Sequence, residues 1–93
     1  MQIRFLALGC REVISLCSGA RLGYVTDLEL DEDTGRILSL IVPGPGRFFG
    51  LLGSAEEYVI PWPCIRRIGG DLILVEIHPE ECRRTREKPK KFF

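Results

Sequence analysis

Turn-forming residues cut this chain into pieces too short for long helices. Its ten glycines and six prolines are spread along the chain, about half of them in clusters that read as turns between short strands. The clusters are Cys17-Ser18-Gly19-Ala20, Asp33-Thr34-Gly35, Pro43-Gly44-Pro45-Gly46, Gly69 and Pro79. Glycine accepts a positive φ cheaply, and proline removes a donor while fixing its own φ, so each cluster reverses or ends an element. About six short strands remain between them, the pattern of a small all-β barrel or sandwich. Patterning alone leaves that choice open.

The pieces read as follows. Leu6-Ala7-Leu8 and Arg11 to Ser15 are two short extended segments. Arg21 to Asp31 reads as one strand in which Leu28 and Leu30 alternate with Asp27, Glu29 and Asp31, the period-two signature of one wet face. Val25 falls on the acidic side of that alternation, so a bulge is expected near it, where Gly23 permits a bend. After the acidic turn, Arg36 to Val42 is apolar at both parities and is the central-strand candidate. Arg47 to Gly53 is a loop, and Tyr58 to Pro61 is a further strand. Trp62 to Gly69 reads as a helical turn with a glycine stop. Asp71 to Ile77 is the last expected strand. The domain is thus expected to occupy residues 1–77, with 78–93 a charged, flexible tail.

Charge follows the same division. Residues 1–77 hold 7 Lys/Arg and 10 Asp/Glu, a net of −3, whereas residues 78–93 hold 6 and 3, a net of +3. Hydrophobic residues at 45% and charged residues at 28% give a globular rather than a disordered balance. No apolar run is long enough to span a bilayer, and no signal-peptide pattern opens the chain, so the expected location is cytoplasmic. Cys10, Cys17, Cys64 and Cys82 lie at wide spacings without a C-x-x-C, and reduced thiols are expected.

Residues able to do chemistry are few. His78 is the only histidine, and no nucleophile and carboxylate can be placed around it as a triad. His78 with Cys82 is a single pair, short of the four ligands of structural zinc. Asp31-Glu32-Asp33-Thr34-Gly35 lacks the length and terminal Glu of a calcium loop. Gly44, Gly46, Gly50 and Gly53 lack the G-K-[ST] ending of a phosphate loop. No enzyme activity, cofactor or metal is therefore expected. Two candidate contact regions remain. Phe48, Phe49, Leu51 and Leu52 crowd one glycine-broken loop, and such apolar patches mark interfaces unless they fold back as a lid. Arg83, Arg84, Arg86, Lys88, Lys90 and Lys91 form a basic tail able to meet the phosphates of nucleic acid, or an anionic membrane, if it does more than solubilise.

Gly19-Ala-Arg-Leu-Gly-Tyr-Val-Thr-Asp-Leu28, Thr34-Gly35-Arg36-Ile37, and Tyr58-Val59-Ile60-Pro61-Trp62 with Ile65 and Ile68-Gly69 together resemble the PRC-barrel family. Ile41-Val42-Pro43-Gly44-Pro45-Gly46 with Phe48-Phe49-Gly50 is more narrowly similar to its sporulation-associated YlmC/YmxH-type branch. The resemblance covers residues 3–77 and leaves out the tail. It implies a small β-barrel that mediates protein contacts and has no common catalytic residues to transfer. The resulting expectation is a non-catalytic adaptor linked to sporulation, homo-oligomeric or bound to an unknown protein partner through the Phe48–Leu52 loop. The alternative is an RNA- or ribosome-associated factor that uses the basic tail.

Overall fold

The computed structural model describes residues 2–44 and 56–85. Within them lie one helical turn, α1 (Phe5–Leu8), and eight strands: β1 (Glu12–Ser15), β2 (Arg21–Tyr24), β3 (Asp27–Leu30), β4 (Ile37–Pro43), β5 (Glu56–Pro61), β6 (Ile65–Ile68), β7 (Leu72–Val75) and β8 (Arg83–Thr85). They form two four-stranded sheets, ordered β2-β1-β7-β6 and β3-β4-β5-β8. The expected six-stranded barrel is corrected on both counts: the strands number eight, and the two sheets are not closed by hydrogen bonds into a barrel.

The chain crosses between the sheets three times, at the β2–β3 and β5–β6 corners and again between β7 and β8, which accounts for the miscounted strands. The segment expected to be one strand, Arg21 to Asp31, is β2 in the first sheet and β3 in the second, with Val25 and Thr26 at the corner. Val25 breaks the alternation because it turns inward there, at 3% exposure. The bend near Gly23 is present, since Gly23 has φ 113° and the β1–β2 register shifts beside it. At the second corner Trp62–Cys64 forms a single 3-10 turn, and Ile65–Ile68 then runs on as β6. The helical turn expected over the whole of 62–69 is thus confined to its first three residues. Leu6-Ala7-Leu8, expected to be extended, belongs to α1.

The core lies between the sheets. Val13, Leu22, Ile73 and Val75 come from the first, and Leu40, Val42, Tyr58 and Ile60 from the second. Fully burying a side chain of this size contributes about 1.5–3 kcal/mol, so these residues carry most of the folding free energy. β1 and β7 pair in parallel, Val13 opposite Ile73 and Ser15 opposite Val75. Ser15 is buried but satisfied: its hydroxyl donates to the Ile77 carbonyl at 2.8 Å and accepts from the Ser18 amide at 3.3 Å. One side chain therefore fixes both the β1–β2 turn and the exit of the chain from β7.

β4 meets the expectation of a strand covered on both faces from Ser39 to Val42, all buried. Leu28 packs against the core, but Leu30 stays 55% exposed, because a register shift between Glu29 and Leu30 breaks the strand's alternation. The acidic turn closes as read, with Gly35 at φ 76° and its amide bonded to the Asp31 carbonyl.

The largest departure is at the C-terminus. Pro79–Glu81 forms a 3-10 turn, and Arg83–Thr85 then pairs antiparallel with β5 as β8. Ordered β-structure thus runs past the expected end at Ile77. Periodicity could not reveal β8, because its three residues carry no apolar side chain.

Candidate interaction surface

Directly opposed residues share a face of a sheet, so the strand registers sort outward from inward side chains. On the second sheet the outward rows are Asp27–Ile41–Val59, Glu29–Ser39–Pro61, and Pro43–Glu57–Arg84. Its edge strands would lie roughly 14 Å apart at the usual spacing of a flat sheet. Arg84 nevertheless reaches from β8 to Glu29 on β3 at 2.8 Å, while bonding its neighbour Glu57 at 3.0 Å. The sheet must therefore curl toward this face, and a carboxylate–guanidinium–carboxylate bridge spans it. Ile41 in its middle row is only 5% exposed. This face is covered.

The first sheet is different. Its outward rows are Tyr24–Glu12–Leu72 and Arg21–Ile14–Leu74–Arg67. Leu16 and Glu76 continue the same parities just beyond the strands. Tyr24, Leu72 and Leu16 are 49%, 41% and 50% exposed, and Ile14 and Leu74 are half-buried among them. Among the described residues no element covers these side chains. A contiguous apolar patch left open in this way marks a contact surface more often than scattered single residues do.

Charge frames the patch. Arg21 makes a bidentate pair with Glu12, at 3.0 and 2.8 Å. Arg66 bonds Glu76 at 3.1 Å and the Pro63 carbonyl at 2.7 Å. Accepting that hydrogen bond, within the positive field of Arg66, holds the Glu76 carboxyl below the usual carboxylate range. Arg67 is exposed and has no ion-pair partner among the described residues. It stands between two shallow hollows along β6. One, of about 270 Å³, is lined by Trp62, Ile65, Arg66, Arg67 and Ile68. The other, of about 290 Å³, is lined by Arg67, Gly69, Gly70, Asp71, Leu72 and Leu74. Trp62 is 39% exposed and forms a wall of the first hollow.

The residues singled out from sequence fare differently. Phe48, Phe49, Leu51 and Leu52 lie outside the described residues, as do Arg86, Lys88, Lys90 and Lys91. Arg83 and Arg84 are among the described residues, and both form ion pairs with the body. Arg83 pairs with Glu56 and Glu80, and Arg84 with Glu29 and Glu57. They hold β8 to the body. His78 is exposed at the end of the first sheet, and no three metal-ligating side chains cluster among the described residues. Cys10 and Cys17 are exposed thiols, whereas Cys64 and Cys82 pack against the core. Burial pushes the Cys82 thiol up, with smaller contributions from Cys64 and Glu81. Among the described residues no helix is long and apolar enough to cross a membrane.

The open face escaped sequence reasoning because Ile14, Leu72 and Leu74 sit in strands that are apolar at nearly every position. The signal that was available is Leu16, Tyr24 and Leu72 sharing parity with charged residues of their own strands.

Comparison with known proteins agrees with this geometry. The model of the PRC-barrel domain matches residues 11–81, which takes in both sheets up to the start of β8. The chain is 39% identical over 67 residues to the probable sporulation protein YlmC of Bacillus subtilis, covering 72% of this chain and 83% of that protein. It is 35% identical over 81 residues to YmxH of the same organism, covering 85% and 93%.

Proposed function

We propose, from the premise that the chain belongs to the PRC-barrel family, that it is a non-catalytic protein-binding module of the cytoplasm that acts in sporulation. The link to sporulation comes from its relative YlmC, a probable sporulation protein. The observation that carries the binding role is the open outer face of the first sheet: Ile14, Leu16, Tyr24, Leu72 and Leu74, framed by arginines. The complementary surface is a protein with an apolar centre and acidic margin, because apolar contact supplies affinity and Arg67 lacks a carboxylate among the described residues. The Phe48–Leu52 loop remains a second proposed contact of the same module.

The test is site-specific photo-crosslinking in sporulating cells. A benzophenone side chain replacing Leu72 should give a discrete protein adduct, and one replacing Ile41, on the covered face, should not. Equal yields at both positions, or none at Leu72, would refute the assignment of the face.

A further inference from the structure

The same molecule carries an acidic surface at the far end of the β3–β4 hairpin. Asp31, Glu32 and Asp33 make the turn there, with Glu32 and Asp33 exposed. Leu30 stands beside them at 55% exposure, left outside the core by the register shift after Glu29. Arg36 is the only cation of the turn, so residues 31–36 carry three acids against one base, a net of −2. The hairpin end is thus an acidic projection with one large apolar side chain. The open face is its converse, an apolar strip with an unpaired arginine between two hollows. The Glu12–Arg21 and Arg66–Glu76 pairs cancel within that face, leaving Arg67 as its one cation, and Asp71 at the rim of one hollow as its one acid, without an ion pair among the described residues.

We infer that the open face of the first sheet receives the acidic hairpin end, Leu30 to Asp33, of a second copy of this chain. This names the occupant of the contact face proposed above and rests on that reading. Charge complementarity selects the arrangement. Placing the hairpin on the face brings Glu32 and Asp33 to Arg67 and Leu30 to Leu72 and Leu74. The two surfaces are different parts of one chain. The contact is therefore heterologous, and each bound copy still offers a free face and a free hairpin. Growth is head-to-tail, and a foreign partner that recognises a repeated surface would meet it with multivalent avidity.

Sedimentation of three variants tests this. The wild-type chain should show concentration-dependent association at high micromolar protein and low salt, weakening as salt screens the charges. Arg67→Glu should weaken association by about tenfold or more, and so should Glu32→Lys with Asp33→Lys. All three positions are exposed, and circular dichroism should match the wild type. Mixing the two should restore assembly, because the intact face meets the intact hairpin and the two reversed charges meet each other. Combining all three substitutions in one chain should restore assembly. A wild-type monomer at high micromolar concentration, or no association in the mixture, overturns the inference. Should Leu72 crosslink to a foreign protein while the purified chain stays monomeric, the binding face stands and its self-recognition falls. Absence of any adduct at Leu72 removes both.

Discussion

Replacing Arg84 with Ala should destabilise the domain although Arg84 is a half-exposed arginine near the end of the chain. The reason is Glu57, whose side chain is only 11% exposed and whose carboxylate Arg84 neutralises at 3.0 Å. Breaking a fully buried ion pair costs about 3–5 kcal/mol, because the remaining charge is left unsolvated. Arg84 itself is 43% exposed, so water screens the pair and the figure must be reduced. Losing the second bond, to the 39% exposed Glu29, adds little, because exposed pairs contribute a few tenths of a kcal/mol. We expect a loss of about 1–2 kcal/mol, or a fall in Tm of about 5–10 °C for a domain of this size. Urea unfolding followed through Trp62, the only tryptophan, measures it. The control is Glu57→Gln, which keeps the shape and removes the charge. If the stranded carboxylate is the cause, the double variant should be more stable than the sum of the single losses by about 1 kcal/mol. A loss under about 0.3 kcal/mol, or strictly additive variants, would show that Glu57 is adequately solvated and that the bridge does not secure β8.

Other consequences follow from the same contacts. Ending the chain after Glu81 removes β8 with both of its arginines, and the urea midpoint should fall below that of the full chain; equal midpoints would make β8 a passive appendage. In Ellman titration near pH 8 the exposed Cys10 and Cys17 should react quickly and Cys82 slowly, since burial raises its thiol. A Cys82→Ser variant should then lose a slow phase and leave the fast phases intact. The Glu76 carboxyl should titrate at a lower pH in the native protein than in Arg66→Ala, followed by NMR. Its folded value lies below its unfolded one, so the pair's contribution to stability is present at neutral pH. It disappears as acid takes the pH down through the folded midpoint. Coincident titration curves in the two proteins would mean that the pair does not persist in solution.

Local chemistry made some elements legible and long-range contact hid others. The acidic turn before Arg36 and the bend at Gly23 follow from φ preferences that a few residues impose on themselves, and both were readable. β4 was readable as central because apolar residues at both parities need two covers. The corner at Val25-Thr26 was not, since a strand that changes sheets differs from a bulged one only in what its second half pairs with. Ile65 to Ile68 looked like the end of a helical turn after Pro63, and its pairing with β7 decides otherwise. β8 is the extreme case. Arg83-Arg84-Thr85 has neither a strand's alternation nor an apolar side chain. What orders it is a ladder to Glu56, Glu57 and Tyr58 with ion pairs to two of them.

The same limit bears on where binding surfaces lie. The two sheets place similar side chains on their outward faces: Ile41 and Val59 among charges on one, Ile14 and Leu74 among charges on the other. Nothing local to Ile41 or Ile14 distinguishes them. Ile41 is 5% exposed on the face that Arg84 crosses to reach Glu29, a contact across 55 positions of sequence. On the first sheet the corresponding arginines pair with their own near neighbours, Arg21 with Glu12 and Arg66 with Glu76. They stay at the margins and leave the centre bare. The two faces thus differ in how far their arginines reach for a carboxylate, and the covered one is the one that an arginine crosses. An arginine placed to bridge the first sheet as Arg84 bridges the second would be expected to close the site without changing any residue in it.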